Sequence, residues 1–218
     1  MTHTPHGSPI ARGFDEHAEH YDEAQVHVDL AALVAETVLD ALPGSDPLRV
    51  IDAATGTGLV LRALAERAGD RDLDLTGIDI SDGMLTQARA HLPGATWIHD
   101  DATQLPVPDG SLDALTCAAA LHLFPDPGAA LADWERALRP GGVAVVATFA
   151  VRGHSHGHHG EGHGPHNAEG HHHDAESAPA LDTPQALADL APAGLALTAH
   201  RLWSHEDDVW LLTTLRRR

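Results

Sequence analysis

The segment Val50-Ile51-Asp52-Ala53-Ala54-Thr55-Gly56-Thr57-Gly58 constrains the fold of this chain more than any other. A short apolar run ends in an acid, and two glycines spaced two apart lead into Leu59-Val60-Leu61-Arg62-Ala63-Leu64-Ala65. That order predicts a buried strand, a tight turn and the first turns of a helix. Glycine at such a turn reaches backbone angles closed to other residues and lets a ligand approach without meeting a Cβ. A G-x-G alone says little, because many strand-to-helix turns carry glycine for packing. The next predicted strand, Leu73 to Asp79, also ends in an acid, 21 residues after Gly58. An acid at the tip of the second strand of a βαβ unit is placed to accept hydrogen bonds from ribose hydroxyls. The residues therefore predict a nucleoside-binding α/β domain.

Three details narrow the kind of nucleoside. Asp52 closes the first strand where a dinucleotide fingerprint has apolar residues, and Ala54 and Leu59 stand where its outer glycines are expected. A pyrophosphate cradle is therefore absent. A further acid pair, Asp100-Asp101, follows the predicted third strand. Acids at three strand tips suit a ligand carrying a cation and many hydroxyl and amine donors, and suit a diphosphate badly.

On these residues the chain resembles class I S-adenosylmethionine-dependent methyltransferases of the small UbiE-like type. The resemblance covers most of residues 14–150, and more loosely 181–216. It rests on Phe14 through Asp22, Ile51 through Gly58, Asp79, Ser81-Asp82-Gly83-Met84-Leu85, Asp101-Ala102, Leu105 through Leu115 and Leu138-Arg139-Pro140-Gly141-Gly142. It implies a Rossmann-like, doubly wound sheet, mostly parallel, with an antiparallel C-terminal strand. It also implies S-adenosylmethionine as cofactor, held by Tyr21, Asp52, Ala54, Thr55, Gly56, Thr57, Gly58, Asp79, Ile80, Met84, Asp101, Ala102 and Ala118. In that resemblance Asp79 takes the ribose hydroxyls, Met84 packs on the adenine and the N-terminal segment folds over the cofactor with its Tyr. His122 lies in the loop that faces the donor methyl in the family, which makes it the first choice for a general base. His17, His20 and Tyr21 are second choices should the N-terminal segment close. A base is needed only for an acceptor that must lose a proton.

The 218 residues suffice for one well-buried α/β domain. A net charge of −19, with a basic run only at Arg216-Arg217-Arg218, argues against nucleic acid. The expected partner is a small-molecule methyl acceptor, and the oligomeric state is left open. No apolar run reaches membrane-spanning length and no signal-like start is present, so no membrane association and a cytoplasmic location are expected. The one cysteine, Cys117, lies in an apolar run and reads as a buried free thiol.

Along the chain, residues 1–13 are rich in turn formers and are expected to be mobile. Residues 14–218 read as a single methyltransferase domain. Helices are predicted at 26–42, 58–68, 82–91 and 127–138, with another opened by Thr183-Pro184. Strands are predicted at 48–53, 73–79, 95–99, 112–118 and 142–149, followed by an antiparallel pair at 195–202 and 208–215.

The domain is interrupted by a His-rich, low-complexity insertion at 152–179 that carries nine histidines. It has three readings: a transition-metal site for Zn, Ni or Cu, a pH-sensitive lid whose imidazoles titrate near about 6.5, or an insertion with adventitious metal affinity. Two function classes follow. One is methyl transfer; the other is metal binding or buffering on a methyltransferase scaffold. A non-methylating enzyme on the same fold is a third option.

Overall fold

A computed structural model describes residues 8–44, 47–151 and 181–218. The His-rich stretch read from the sequence at 152–179 lies outside the described residues.

The chain opens with α1 (Pro9–His17), a 3-10 turn at Tyr21–Glu23 and α2 (Gln25–Ala41). Alternation then begins: β1 (Leu48–Ala53), α3 (Leu59–Arg67), β2 (Leu73–Asp79), α4 (Asp82–His91) and β3 (Thr96–His99). After β4 (Leu112–Ala118) come a 3-10 turn at Leu121–Leu123, α5 (Pro127–Ala137) and β5 (Leu138–Val151). The described C-terminal part contains α6 (Pro184–Leu190), β6 (Leu195–His205) and β7 (Asp208–Arg217). The strands form one sheet in the order β3-β2-β1-β4-β5-β7-β6. Pairs from β3 through β5 are parallel, whereas β5–β7 and β6–β7 are antiparallel. This is the expected doubly wound, mostly parallel sheet.

Side chains alternate across each strand, so the sheet has two cores. Val50, Ala114, Val143 and Val145 join Leu30, Val34, Val38, Val60, Leu61 and Leu64 of α2 and α3 on one face. Ile51, Leu115, Ala144 and Leu215 join Leu131 and Trp134 of α5 and Leu187 of α6 on the other. Helix starts follow the sequence signals. Asp126 and Thr183 accept the backbone N–H of Ala129 and Ala186, at 2.8 and 3.2 Å, with proline next in the chain. Cys117 is buried, as expected, and burial pushes its thiol pKa upward.

The element ends differ in places from those expected. Residues 9–13, expected to be mobile, are the first turns of α1, a helix whose apolar side chains meet the cavity described below. Strand β5 begins at Leu138 rather than at 142, because Leu138 pairs with Leu112 before an irregularity and Val143 resumes the ladder opposite Ala114.

Candidate active site

In an open α/β sheet, ligands bind outside the carboxyl ends of the strands where the strand order reverses. Here the reversal falls between β1 and β4. A cavity of about 460 Å³ opens there. Its wall takes Ala54 and Gly56 from the β1 turn, Asp79, Ile80 and Met84 from β2 and α4, and Asp101 and Ala102 from beyond β3. Ala118, Ala119, Ala120, Leu123, Phe124 and Pro125 come from β4 and its following turn, and Ser8, Ile10, Phe14 and Tyr21 from the N-terminal segment. Among the described residues, no Arg or His lines it. The lining is apolar except for a few hydroxyls and the two carboxylates.

Asp79 is the buried carboxylate of this wall. Its Oδ2 accepts the Gly56 N–H at 2.8 Å and its Oδ1 the Ser81 N–H at 2.9 Å. Burial raises its pKa in spite of these bonds. The Ile80 N–H also acts on this carboxylate; with about four lone-pair sites, Asp79 retains capacity for a donor from a ligand. Asp101, at the exposed rim, spends one oxygen on the Thr103 N–H at 2.9 Å.

Asp52 has a different role from the one its place in the sequence suggests. It does not line the cavity. Its Oδ1 accepts the Thr116 hydroxyl at 2.6 Å and its Oδ2 the Thr55 hydroxyl at 2.7 Å, tying β1 to β4 and to its own turn. Burial pushes its carboxyl up to about 6, only partly offset by those two hydroxyls, and the nearby charge of Asp79 adds to the rise.

The two strand ends at the reversal share a backbone feature. Ala54 and Ala119 have φ of 55° and 59°, and both lie on the cavity wall. The left-handed region costs a non-glycine residue roughly 1–2 kcal/mol. The two glycines of the turn are not equivalent. A Cβ on Gly56 would have the Met84 sulfur, at 4.0 Å, as its nearest neighbour, so that side of the turn stays open toward the cavity. A Cβ on Gly58 would meet the Trp97 ring at 2.6 Å, and one on Gly77 would meet it at 2.4 Å. Gly58 thus makes room for Trp97 rather than for a ligand.

The structure brings Tyr21, Ala54, Gly56, Asp79, Ile80, Met84, Asp101, Ala102 and Ala118 together on one wall. Asp52, Thr55, Thr57 and Gly58 stand behind it, and the Thr57 hydroxyl donates to Asp22 at 2.5 Å. His122 also is off the wall, edge-on to Phe149 of β5 with ring centroids 6.2 Å apart. The N-terminal segment does close over the site, yet its histidines face outward. His17 Nδ1 donates to the Gly13 carbonyl at 2.8 Å, and His20 pairs with Glu23 at 2.9 Å, both exposed. Tyr21 lines the cavity, but burial, with Asp79, Asp22 and Asp52 nearby, pushes its phenol up to about 12, which removes it as a base near neutrality. Sequence reasoning assigned no site role to Ser8, Ile10, Phe14, Ala119, Ala120, Leu123, Phe124 and Pro125, which also line the cavity. The loop that carries His122 contributes its apolar residues Ala120, Leu123 and Phe124 to the wall instead of its histidine.

Residues 51–146 match the family model described as methyltransferase domain. A demethylmenaquinone methyltransferase of Beutenbergia cavernae is 35% identical over 144 residues, covering 65% of this chain and 58% of the relative. A malonyl-[acyl-carrier protein] O-methyltransferase of Serratia marcescens is 32% identical over 142 residues, covering 65% and 53%. The chain thus spans less than three-fifths of the length of these curated relatives. In fold it is similar to an N-methyltransferase of Bradyrhizobium japonicum solved with S-adenosyl-L-homocysteine, at 14% identity and a TM-score of 0.65 over 95% of this chain and 97% of that one.

Proposed function

We propose that the chain, whose residues 51–146 match a methyltransferase-domain model, works as a class I methyltransferase and transfers a methyl group from S-adenosylmethionine to a small-molecule acceptor. The observation that carries this reading is Asp79, a buried carboxylate at the tip of β2 that faces the cavity beside the open side of Gly56. The cofactor fits what surrounds it: carboxylates for hydroxyl and amine donors and for a cation, and no arginine for a phosphate among the described lining residues.

When bound, the cofactor would supply an activated methyl on a sulfonium, with a neutral sulfide as its leaving group. The protein's own work is alignment, and orienting reactants recovers on the order of 7–11 kcal/mol of barrier. Asp79 accepts the ribose hydroxyls. Ile80, Met84 and Ala102 offer apolar surface to the adenine, and Asp101 offers an acceptor at its edge. Phe14 and Tyr21 exclude water from above, which strengthens the electrostatic contacts inside. For an acceptor that must lose a proton, His122 is proposed as general base, because it sits in the Leu121–Leu123 turn between Ala120 and Leu123 of the cavity wall.

Titration calorimetry with S-adenosylhomocysteine and with NAD tests the reading. Binding of the first and not the second is expected. Asp79→Ala should weaken binding by about 1.5–3 kcal/mol, the worth of hydrogen bonds to a charged group. Affinity for NAD without affinity for the adenosyl compound would overturn the assignment. Release of S-adenosylhomocysteine on incubation with pools of acceptors then identifies the substrate.

A further inference from the structure

We propose that Asp15 and Asp22 are positioning residues that latch the N-terminal segment over the cavity and so set the rate at which the cofactor leaves. The inference rests on the cofactor reading above and adds to it the means by which the cover is held.

Two side-chain attachments tie the described N-terminal segment to the site. Asp15 Oδ1 accepts the Ser81 hydroxyl at 2.6 Å and the Gly83 N–H at 2.9 Å. Asp22 Oδ1 accepts the Thr57 hydroxyl at 2.5 Å, and its Oδ2 pairs with Arg62 at 2.5 Å. Each latch residue follows an aromatic of the cavity wall, Phe14 before Asp15 and Tyr21 before Asp22. Each also ends at the site's own framework. Ser81 donates its N–H to Asp79 and its hydroxyl to Asp15. Thr57 follows Gly56, whose N–H is the other donor to Asp79. The cover is therefore fastened to the same two backbone segments that hold the ribose acid.

Exposed ion pairs alone are worth little, but the Asp22 latch is not of that kind. Thr57 is 1% exposed, and Asp22 and Arg62 are about one-quarter exposed at their side chains. The Asp15 latch also has a steric requirement. A Cβ on Gly83 would stand 3.0 Å from the Asp15 Cα and 3.2 Å from its carbonyl oxygen. A Cβ at 83 requires the Asp15 backbone to give by a few tenths of an ångström, and the branched side chain of valine adds to that demand. The Ser81 hydroxyl separately accepts the Met84 N–H at 3.1 Å, so loss of Asp15 leaves the α4 cap in place.

The test is the dissociation rate of S-adenosylhomocysteine by stopped flow, with hydrogen exchange read along the chain. Asp22→Ala, Asp15→Ala and Gly83→Val should each speed dissociation about tenfold, the equivalent of one lost charge-assisted contact. Exchange should accelerate over residues 9–23 and stay at the wild-type rate in β1, β4 and β5. In the Asp22→Ala, Thr57→Val double variant, dissociation should be no faster than in the faster single variant. Dissociation within twofold of wild type in both Asp15→Ala and Gly83→Val overturns the proposal, as does exchange that accelerates equally in cover and sheet. Should Asp22→Ala not fold, Asp15→Ala and Gly83→Val decide by the same criteria. A wild-type chain that binds no S-adenosylhomocysteine would instead overturn the cofactor reading.

Discussion

The two halves of the sheet solve different problems with the same pleat. From β3 to β4 the strands are parallel, and their carboxyl ends carry buried acids, left-handed alanines and a cavity. From β5 to β6 the pairing turns antiparallel and the same rim carries aromatics. Phe149 lies opposite Trp210 across one strand pair, and Trp203 lies opposite Trp210 across the next. The Phe149 and Trp210 rings are in tilted contact, with centroids 3.8 Å apart and planes 35° from parallel. On the parallel side every buried carboxylate has hydrogen-bond partners, whereas among the described residues the buried Trp210 Nε1 and Thr213 Oγ1 of the antiparallel side have none, nor has Trp134 Nε1 of α5. One half gives up stability for a binding surface, and the other supplies it by packing.

The sharpest way to break that contrast is to cut out the packing. Trp210→Ala removes a side chain that is 2% exposed, and should cost about 3–5 kcal/mol of folding stability. Urea unfolding measures the loss. Affinity for S-adenosylhomocysteine, measured where the variant remains folded, should stay within about twofold of wild type, since Trp210 is not on the cavity wall. A matching loss of affinity would show that the halves are not separable.

A second effect belongs to the parallel half alone. Asp52 has its carboxyl raised to about 6 in the fold by burial, against 3.8 when unperturbed. The native state therefore holds that proton more tightly than the unfolded chain. Its contribution is most favourable below the unfolded value and declines as pH rises through the folded one. Stability of the ligand-free protein, relative to Asp52→Asn, should fall between about pH 4 and pH 6 and level off above. The threonine hydroxyls can turn to serve an amide, so the variant keeps the tie between β1 and β4. A difference that stays flat across this range would mean that Asp52 is not held in a desolvated site.

What the sequence revealed divides along the same line. The parallel half is written in local signals: apolar runs ending in acids, glycines at a turn, and caps followed by proline. Its strands and most of its cavity residues were legible for that reason. What depends on contacts between distant segments was not. Nothing local marks Asp15 and Asp22 as partners of Ser81 and Thr57, or Gly58 and Gly77 as the seat of the Trp97 ring. Nor does a motif show that Asp52 spends both oxygens behind the wall. In the antiparallel half the strand ends were misjudged because the hairpin turn at Glu206-Asp207 lacks the Asn-Gly signature that two-residue turns favour. Strand β6 accordingly runs to His205, past the expected end at 202.

The smallest expected effect compares the halves through one backbone feature found in both. Ala54 has φ of 55° at the cavity, and Glu206 has φ of 51° in the distant hairpin. Glycine relieves the left-handed cost at either position but loses more freedom on folding, so each of Ala54→Gly and Glu206→Gly should gain about 0.5–1 kcal/mol. Thermal unfolding should therefore report two similar gains. Calorimetry should not. Ala54 lies on the cavity wall between Asp52 and the Gly56 N–H that holds Asp79, so a looser turn must be re-ordered when the ligand binds. Ala54→Gly should weaken S-adenosylhomocysteine binding by a few-fold, whereas Glu206→Gly should leave it unchanged. Equal effects on affinity would mean that the left-handed alanine is a feature of the turn alone. A gain at Glu206 with none at Ala54 would mean that the cavity holds its alanine without strain.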